Sequence, residues 1–558
     1  MTSPLVDAAP HPAMSDADWW RDAVIYQVYV RSFADSDGDG TGDLEGVRSR
    51  LGYLKELGVD ALWFTPWYDS PFADGGYDVA DYRTIHPAFG RLADAERLIA
   101  EAAELGIRTI VDIVPNHVSD RHPWFRAALA AGPGSPERER FWFRPGRGPN
   151  GDEAPTDWVS EFQGGTWTRT TNPDGTPGDW YLHVFAPEQP DLNWNHPDVR
   201  REHEEILRFW FDRGVAGVRI DSAAQLVKDP ALPEVPAHPG PGEHPHVDRD
   251  ELHDIYRSWR RIADEYEGTR VLVGEVWLPD AERFAAYLRP DEMHTAFNFD
   301  FMTRAWDAGE LRASIDLMLA AHAPVGAPAT WVLSNHDVTR PVTRYGRADS
   351  AFAFGTKRFG TPTDQDLGTR RARAAALLSA ALPGSLYLYQ GDELGLPEVE
   401  LPRELLQDPM HVRSGGVDPG RDGCRVPLPW RGTRPPFDFG PGQGEPWLPQ
   451  PADWAGLTVE AEEADPSSML WLYRQALRLR RRELVGGVGV LGRAARDAFA
   501  WADAGDGILA FTRGPHFTNL SNLSGRPVEL PPHTRILLSS SPLEHGMLPP
   551  DSTVWLRT

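Results

Sequence analysis

VAGVRID, residues 215–221, decides how this chain is read. It is an apolar, largely β-branched run that stops at a carboxylate, Asp221. Such runs mark strands buried on both faces of a parallel sheet. Three other segments share the construction: DIVPNH ends at His117, VLVGE at Glu275 and LSNHD at Asp337. In a (β/α)₈ barrel the functional groups stand where the strands run out, at the C-terminal face. Four distant places therefore supply one polar cluster. Three of its members are acids, the residue type that glycosidic bond cleavage requires.

Working outward, strands and helices alternate from Asp22 onward. AVIYQVYV (23–30), VDALWFTP (59–66), IRTIVDIVP (107–115), VAGVRID, RVLVGE, MHTAFNF, TWVLSNHD and SLYLYQG are the eight predicted strands. Amphipathic segments such as 44–58, 92–106, 199–214 and 251–268 are the helices between them. Alternation of this kind predicts a parallel sheet closed by right-handed crossovers. The expected fold is an α/β (β/α)₈ TIM barrel, domain A, over residues 18–117 and 199–484. A loop-rich domain B, with no helix longer than two turns, is inserted after the third strand at 118–198. Short alternating runs over 485–558 predict a C-terminal antiparallel β-sandwich, domain C. Residues 1–17, rich in Pro, Ala and Asp, read as a loose tail.

The chain has 558 residues, more than the ~250 of a plain barrel. Its formal charge of −26 repels phosphate backbones and anionic lipid, so neither nucleic acid nor membrane is an expected partner. A neutral small molecule fits better. No signal peptide or apolar span is evident, which predicts a cytoplasmic protein, as monomer or homodimer. The single cysteine, Cys424, excludes an intramolecular disulfide. The 21 tryptophans offer flat faces for sugar rings, although core packing explains any one of them as well.

Each acid has a plainer explanation taken alone. Asp221 beside Arg219 fits a structural ion pair, Glu275 a satisfied strand end, and Asp337 a helix cap. Their conjunction at one barrel mouth argues for chemistry. An ionised carboxylate near an arginine, its pKa lowered, can attack an anomeric carbon. A carboxyl kept protonated by its surroundings can protonate the leaving oxygen. In DSDGDGTGDLEG (35–46), aspartates spaced by glycines allow a loop to fold its oxygens around a hard cation. It is no EF-hand, because Gly46 stands where that loop needs Glu. GVGVLG (487–492) matches a dinucleotide fingerprint but follows a helix and enters a β domain, so it is rejected. The histidines of 238–248 sit in a Pro/Gly-rich loop that fixes no ligand geometry.

Together these motifs resemble the α-amylase superfamily of retaining α-glycoside hydrolases, in its α-glucosidase and oligo-1,6-glucosidase branch. The resemblance runs from about Trp19 to the C-terminus. DIVPNH, GVRID, GEVW and SNHD correspond to its four best-known regions, and QPDLN (189–193) is similar to a fifth. It implies Asp221 as nucleophile, Glu275 as acid/base, and Asp337 as the acid that binds the distorted sugar. Arg219 would orient Asp221, and His117 and His336 would bond sugar hydroxyls. In FADGGYDVADY, Tyr77 would stack on the sugar, and Asp74 would pair with Arg425 to close the far end of an exo-acting pocket. The resemblance also implies a structural calcium ion, or magnesium in its place, on Asp35, Asp37, Asp39, Asp43 and the Thr41 carbonyl.

Ser222 follows the nucleophile where typical α-1,6-specific members carry valine. A small residue there leans toward α-1,4 bonds, whereas QPDLN leans toward α-1,6. The implied function is an exo-α-glucosidase, α-1,4 favoured, with transglycosylation as a side activity. The rivals are a glucosyltransferase or isomerase of trehalose synthase or sucrose isomerase type on the same acids, an α-1,6-preferring enzyme, and a non-catalytic sugar-binding subunit.

Overall fold

All eight predicted strands form. They are β1 (Val24–Val28), β2 (Ala61–Phe64), β3 (Arg108–Ile113), β4 (Gly217–Ile220), β5 (Val271–Gly274), β6 (Thr295–Ala296), β7 (Thr330–Val332) and β8 (Ser385–Tyr389). The computed structural model describes residues 17–172, 174–240, 242–442, 444–485 and 498–558. The tail expected over 1–17, except for its last residue Ala17, and the GVGVLG segment lie outside the described residues.

The strands pair in parallel in the order β6-β5-β4-β3-β2-β1-β8-β7, so each lies beside its sequence neighbour, as in a (β/α)₈ barrel. Between β6 and β7 the ring is joined by a side chain: the Thr330 hydroxyl donates to the Ala296 carbonyl at 2.5 Å and accepts from the Asn298 N–H at 3.0 Å. Both faces of every strand are buried, which is why the runs read as unbroken apolar stretches. Ile25, Trp63, Ile110, Val273, Val332 and Tyr387 meet in one cluster inside the ring. Their alternates, among them Tyr26, Leu62, Val111, Val218 and Leu272, pack under the helices. Asp112 and Arg219 share the inward parity of Ile110. Gly217 opens β4 without a side chain because a Cβ there would stand 2.6 Å from the Val271 carbonyl oxygen of β5.

Helices cover the outside: α1 (Leu92–Glu104), α2 (Pro197–Phe211), α3 (Leu252–Ala263), α4 (Gln365–Ala381) and α5 (Met469–Leu479) are the principal ones. Side-chain caps set several starts, with Asp364 accepting from Leu367 N–H and Ser468 from Trp471 N–H. The helix expected over 44–58 is broken at Arg50 into Leu44–Ser49 and Leu51–Leu57.

The insertion after β3 is less irregular than its composition predicts. A helix of nine residues, Pro123–Ala131, exceeds two turns and begins on a proline already set for helical φ. A three-stranded antiparallel sheet (Phe143–Arg144, Trp167–Thr171, Pro177–Leu182) follows. Its own core is Trp142, Trp158, Trp167 and Leu182, joined by Leu232 from the segment after β4. A buried ion pair ties the insertion down: Asp191 lies 2.6 Å from the Lys228 ammonium, and both side chains are fully inaccessible. Lys228 also donates to the Asn116 amide oxygen and the Gln225 carbonyl.

The C-terminal residues form a five-stranded antiparallel sheet with a separate two-stranded ribbon. This sheet lies on α4, where Trp555 Nε1 donates to the Leu377 carbonyl at 3.1 Å. Contact with both barrel and sheet explains why α4 is alanine-rich and buried over most of its last turns. Among the described residues no helix is long and apolar enough to cross a membrane.

Replacing Asp191 with Ala leaves the Lys228 charge buried without its partner, a change expected to cost about 3–5 kcal/mol. The exposed Arg147–Glu234 pair, 2.8 Å apart, serves as the control, where loss should cost about 0–1 kcal/mol. Denaturant midpoints of the two variants check the difference.

Candidate active site

A cavity of about 410 Å³ opens among the segments that follow the strand ends, and Asp221, Glu275 and Asp337 all line it. They arrive there from β4, β5 and β7. The convergence expected from the sequence is therefore present. Tyr77, His117, His336 and Asp74 line the same cavity, while Arg219 and Arg425 stand behind its walls.

Arg219 links the acids. Its Nη1 donates to Asp221 Oδ1 at 2.7 Å and to Asp112 Oδ1 at 2.9 Å, and its Nη2 lies 2.8 Å from Glu275 Oε2. One guanidinium, 1% exposed, thus serves three buried carboxylates. Ser222 repeats the link, its N–H donating to Glu275 Oε2 and its hydroxyl to Asp221 Oδ2, both at 2.9 Å. The left-handed backbone at Ser222, φ +46°, accompanies these two bonds; such a conformation in a non-glycine residue is concentrated at functional sites.

Three carboxylates cannot all ionise cheaply around one cation in a dry site. Burial pushes Glu275 up to about 7 against the pull of Arg219, with Asp221 and Asp337 adding to the rise. Burial likewise pushes Asp112, beneath the cavity, up to about 8. Asp221 departs from expectation: burial raises its pKa despite Arg219 and the Ser222 hydroxyl, because the interior withholds solvation that the shared guanidinium only partly replaces. Asp337 is the opposite case. Burial opposes its ionisation, but His336, Arg421 and Arg425 together hold its carboxyl well below the usual range. Both His117 and His336 are held toward the neutral form by burial.

Tyr77 faces the cavity and stacks on the His336 ring, centroids 5.2 Å apart and planes 7° from parallel. Its hydroxyl donates to Asp112 Oδ2 at 3.0 Å. His117 Nε2 stands 3.0 Å from both the Tyr77 carbonyl and Gln189 Nε2, and Gln189 in turn donates to Asp74 Oδ2 at 3.1 Å. QPDLN is therefore a brace behind the pocket wall.

The expected pairing of Asp74 with Arg425 is corrected. Asp74 Oδ1 lies 2.6 Å from Arg421 Nη2, and Arg421 is gripped from behind by Asp408 at 2.7 Å. Arg425 instead donates to Asp337 Oδ1 at 2.9 Å and to the His336 carbonyl at 2.8 Å. The two arginines flank a short 3₁₀ turn, Asp422–Cys424, which sends one to the cavity and the other beneath its floor. Arg421 was thus missed by sequence reasoning, although it stands in the same DPGRDGCR run. Asp112 was also missed; it opens the DIVPNH motif, and its inward parity with Arg219 was the available signal. Domain B adds Phe162, Phe185 and Glu161 to the walls, and Trp277 and Phe354 stand at the cavity as well.

Away from this cavity, Asp35, Asp37 and Asp39 bring one carboxylate oxygen each within 4.8 Å of one another, an oxygen set that fits a hard cation. Asp43 stands outside that group. Its oxygens accept from the Gly46 and Ser36 N–H groups, capping the helix Leu44–Ser49.

The catalytic-domain description "Alpha amylase, catalytic domain" matches residues 27–487. The chain belongs to the α-amylase family. It is an enzyme of that glycoside hydrolase family. The oligo-1,6-glucosidase of Parageobacillus thermoglucosidasius is 33% identical over 503 residues, covering 83% of this chain and 84% of that protein. A probable α-glucosidase of Rhizobium meliloti is 36% identical over 487 residues, 84% of this chain and 83% of its own length. Among solved structures, an α-glucosyl transfer enzyme superposes with a TM-score of 0.81 at 32% identity, over 97% of this chain and 99% of its own.

Because burial sets its proton affinity, Glu275 should be protonated below about pH 7 and charged above it. Infrared difference spectra against Glu275→Gln read this directly; a carboxyl band that vanishes near pH 4.5 would refute it.

Proposed function

We propose that this protein is an exo-acting, retaining α-glucosidase that removes glucose from the non-reducing ends of short α-glucosides. The observation that carries the reading is the closed end of the pocket: Asp74 bound to Arg421 stands across the cavity that holds the three acids. A sugar chain enters such a pocket by its end and does not pass through.

Asp221 attacks the anomeric carbon as the bond to the aglycone oxygen breaks, and the proton on Glu275 goes to that oxygen. Glu275 then takes a proton from water, whose oxygen displaces Asp221 with restored configuration. Holding both carboxyls on one guanidinium and one serine suits the short separation of retaining enzymes. A proton affinity near neutrality lets Glu275 serve as acid and then as base. Asp337, kept ionised by two arginines, binds sugar hydroxyls and favours the positive charge that develops on the ring. Tyr77 supplies a flat face, and His336 supplies a neutral ring nitrogen to a hydroxyl. His117, whose Nδ1 meets Asn116 and whose Nε2 meets Tyr77 and Gln189, would exchange one of these partners for a sugar hydroxyl.

The cavity wall bears the acids Asp74, Glu161, Asp221, Glu275 and Asp337 against one arginine already paired, which suits a neutral aglycone. A second reading, glucosyl transfer to another sugar, is favoured by the aromatic surface at the acceptor side. Trp277 stacks on Phe299 with centroids 3.7 Å apart, and Phe354 meets it edge-on at 5.6 Å. Such a platform holds a sugar where water must otherwise arrive. For the loop of Asp35, Asp37 and Asp39, with the Thr41 carbonyl, the reading is a structural calcium or magnesium site bracing the segment after β1.

Asp221→Ala should lower kcat by at least roughly a thousandfold while leaving the fold intact, and near-normal turnover would remove Asp221 from the nucleophile's role. Ser222, small and lining the cavity, supports α-1,4 preference. Maltose should therefore be cleaved with a higher kcat/KM than isomaltose; product analysis over time checks both this order and the share of transfer.

A further inference from the structure

A second cavity, about 310 Å³, lies between the segment after β7 and the segment after β8, and none of its lining residues is shared with the catalytic pocket. Its wall carries three cations, Arg347, Lys357 and Arg358. Two of them lack ordinary compensation. Lys357 is 4% exposed, and its ammonium donates to the Gly420 carbonyl at 2.7 Å. Arg347 has a buried Nε without a hydrogen-bond partner. Among the described residues neither forms an ion pair; Glu398 and Glu400 line the same wall and attract Arg347 without pairing with it. Those two acids are themselves engaged, accepting from the Arg340 and Gly360 N–H groups. Thr343 lines the same wall, and its hydroxyl oxygen accepts from Glu398 N–H, which leaves the hydroxyl proton to point elsewhere.

Three cations against two carboxylates leave this wall with an excess of positive charge. Burying a cation without a directly paired carboxylate is costly, and the open polar volume beside it gains by admitting an anion. An oxyanion with several acceptor oxygens matches a wall that carries both forked guanidinium groups and a point-like ammonium. We propose that this cavity binds a phosphate-type oxyanion, brought by inorganic phosphate or by a phosphorylated sugar, between Arg347, Lys357 and Arg358. The volume accommodates a hexose phosphate as well as the bare ion. The site also borders the catalytic pocket: Gly420, which Lys357 holds, precedes Arg421, whose guanidinium closes that pocket on Asp74. An occupant that draws the ammonium away from Gly420 thereby acts on the strap carrying Arg421.

Calorimetric titration of the full chain at constant ionic strength tests this, with inorganic phosphate in one arm, glucose 6-phosphate in another, and glucose and chloride as controls. Saturable binding is expected in at least one phosphate arm, weakened roughly tenfold or more in Arg347→Gln and in Lys357→Gln. Similar affinity in both arms assigns the site to the bare ion; markedly tighter glucose 6-phosphate assigns it to a sugar phosphate. Should Lys357→Gln fail to fold, Arg347→Gln, at a partly exposed position, still decides the matter, with maltose turnover without added anion reporting an intact catalytic pocket. No saturable binding in either arm, or binding unchanged in Arg347→Gln, overturns the proposal.

Discussion

The catalytic face of this molecule depends on the buried guanidinium of Arg219. Parallel registry places Arg219 of β4 level with Asp112 of β3 and Val273 of β5, so a single side chain reaches carboxylates on both flanks. One positive charge then has three negative claimants in a dry interior. Full ionisation of all three is unfavourable, and protons remain on part of the set at neutral pH. A proton donor and an anion side by side, the pair that glycoside cleavage needs, follow from this undersupply of positive charge.

The far side of the pocket is built in the opposite sense. Around Asp337 positive charge is in excess, since Arg421 and Arg425 both reach Oδ1, at 3.2 and 2.9 Å. Its carboxyl therefore stays ionised where Glu275 does not. Acids of one chemical type are differentiated by how many guanidinium groups each can reach, and the barrel fixes that number through strand order and loop position. Domain B completes the arrangement mechanically: Asp191 on Lys228 and Gln189 on Asp74 lock the wall to the floor.

Much of this was legible in the sequence. Strands with two buried faces leave unbroken apolar runs, and the residues that end them declare themselves because a charge at such a place is conspicuous. His117, Asp221, Glu275 and Asp337 were found on that signal, and the resemblance then supplied their expected parts. What was not legible depended on contacts without a local pattern. Arg421 and Arg425 are chemically identical and four residues apart, and only the turn between them decides which one meets Asp74. The helix at Pro123–Ala131 and the tryptophan core of domain B are held by long-range packing that composition alone disguises as loop. The direction of the Asp221 shift was misjudged because a nearby arginine is visible in sequence, whereas its division among three partners is not.

The hydroxyl joint between β6 and β7 has a mechanical meaning. Every other neighbouring pair of staves is stitched by main-chain bonds, but here one threonine bridges the gap. A ring with one soft link concentrates its elastic compliance there. Asp337 follows β7 on one side of that link, and Glu275 follows β5, one stave beyond β6 on the other, so the spacing of these two carboxyls is gauged across it.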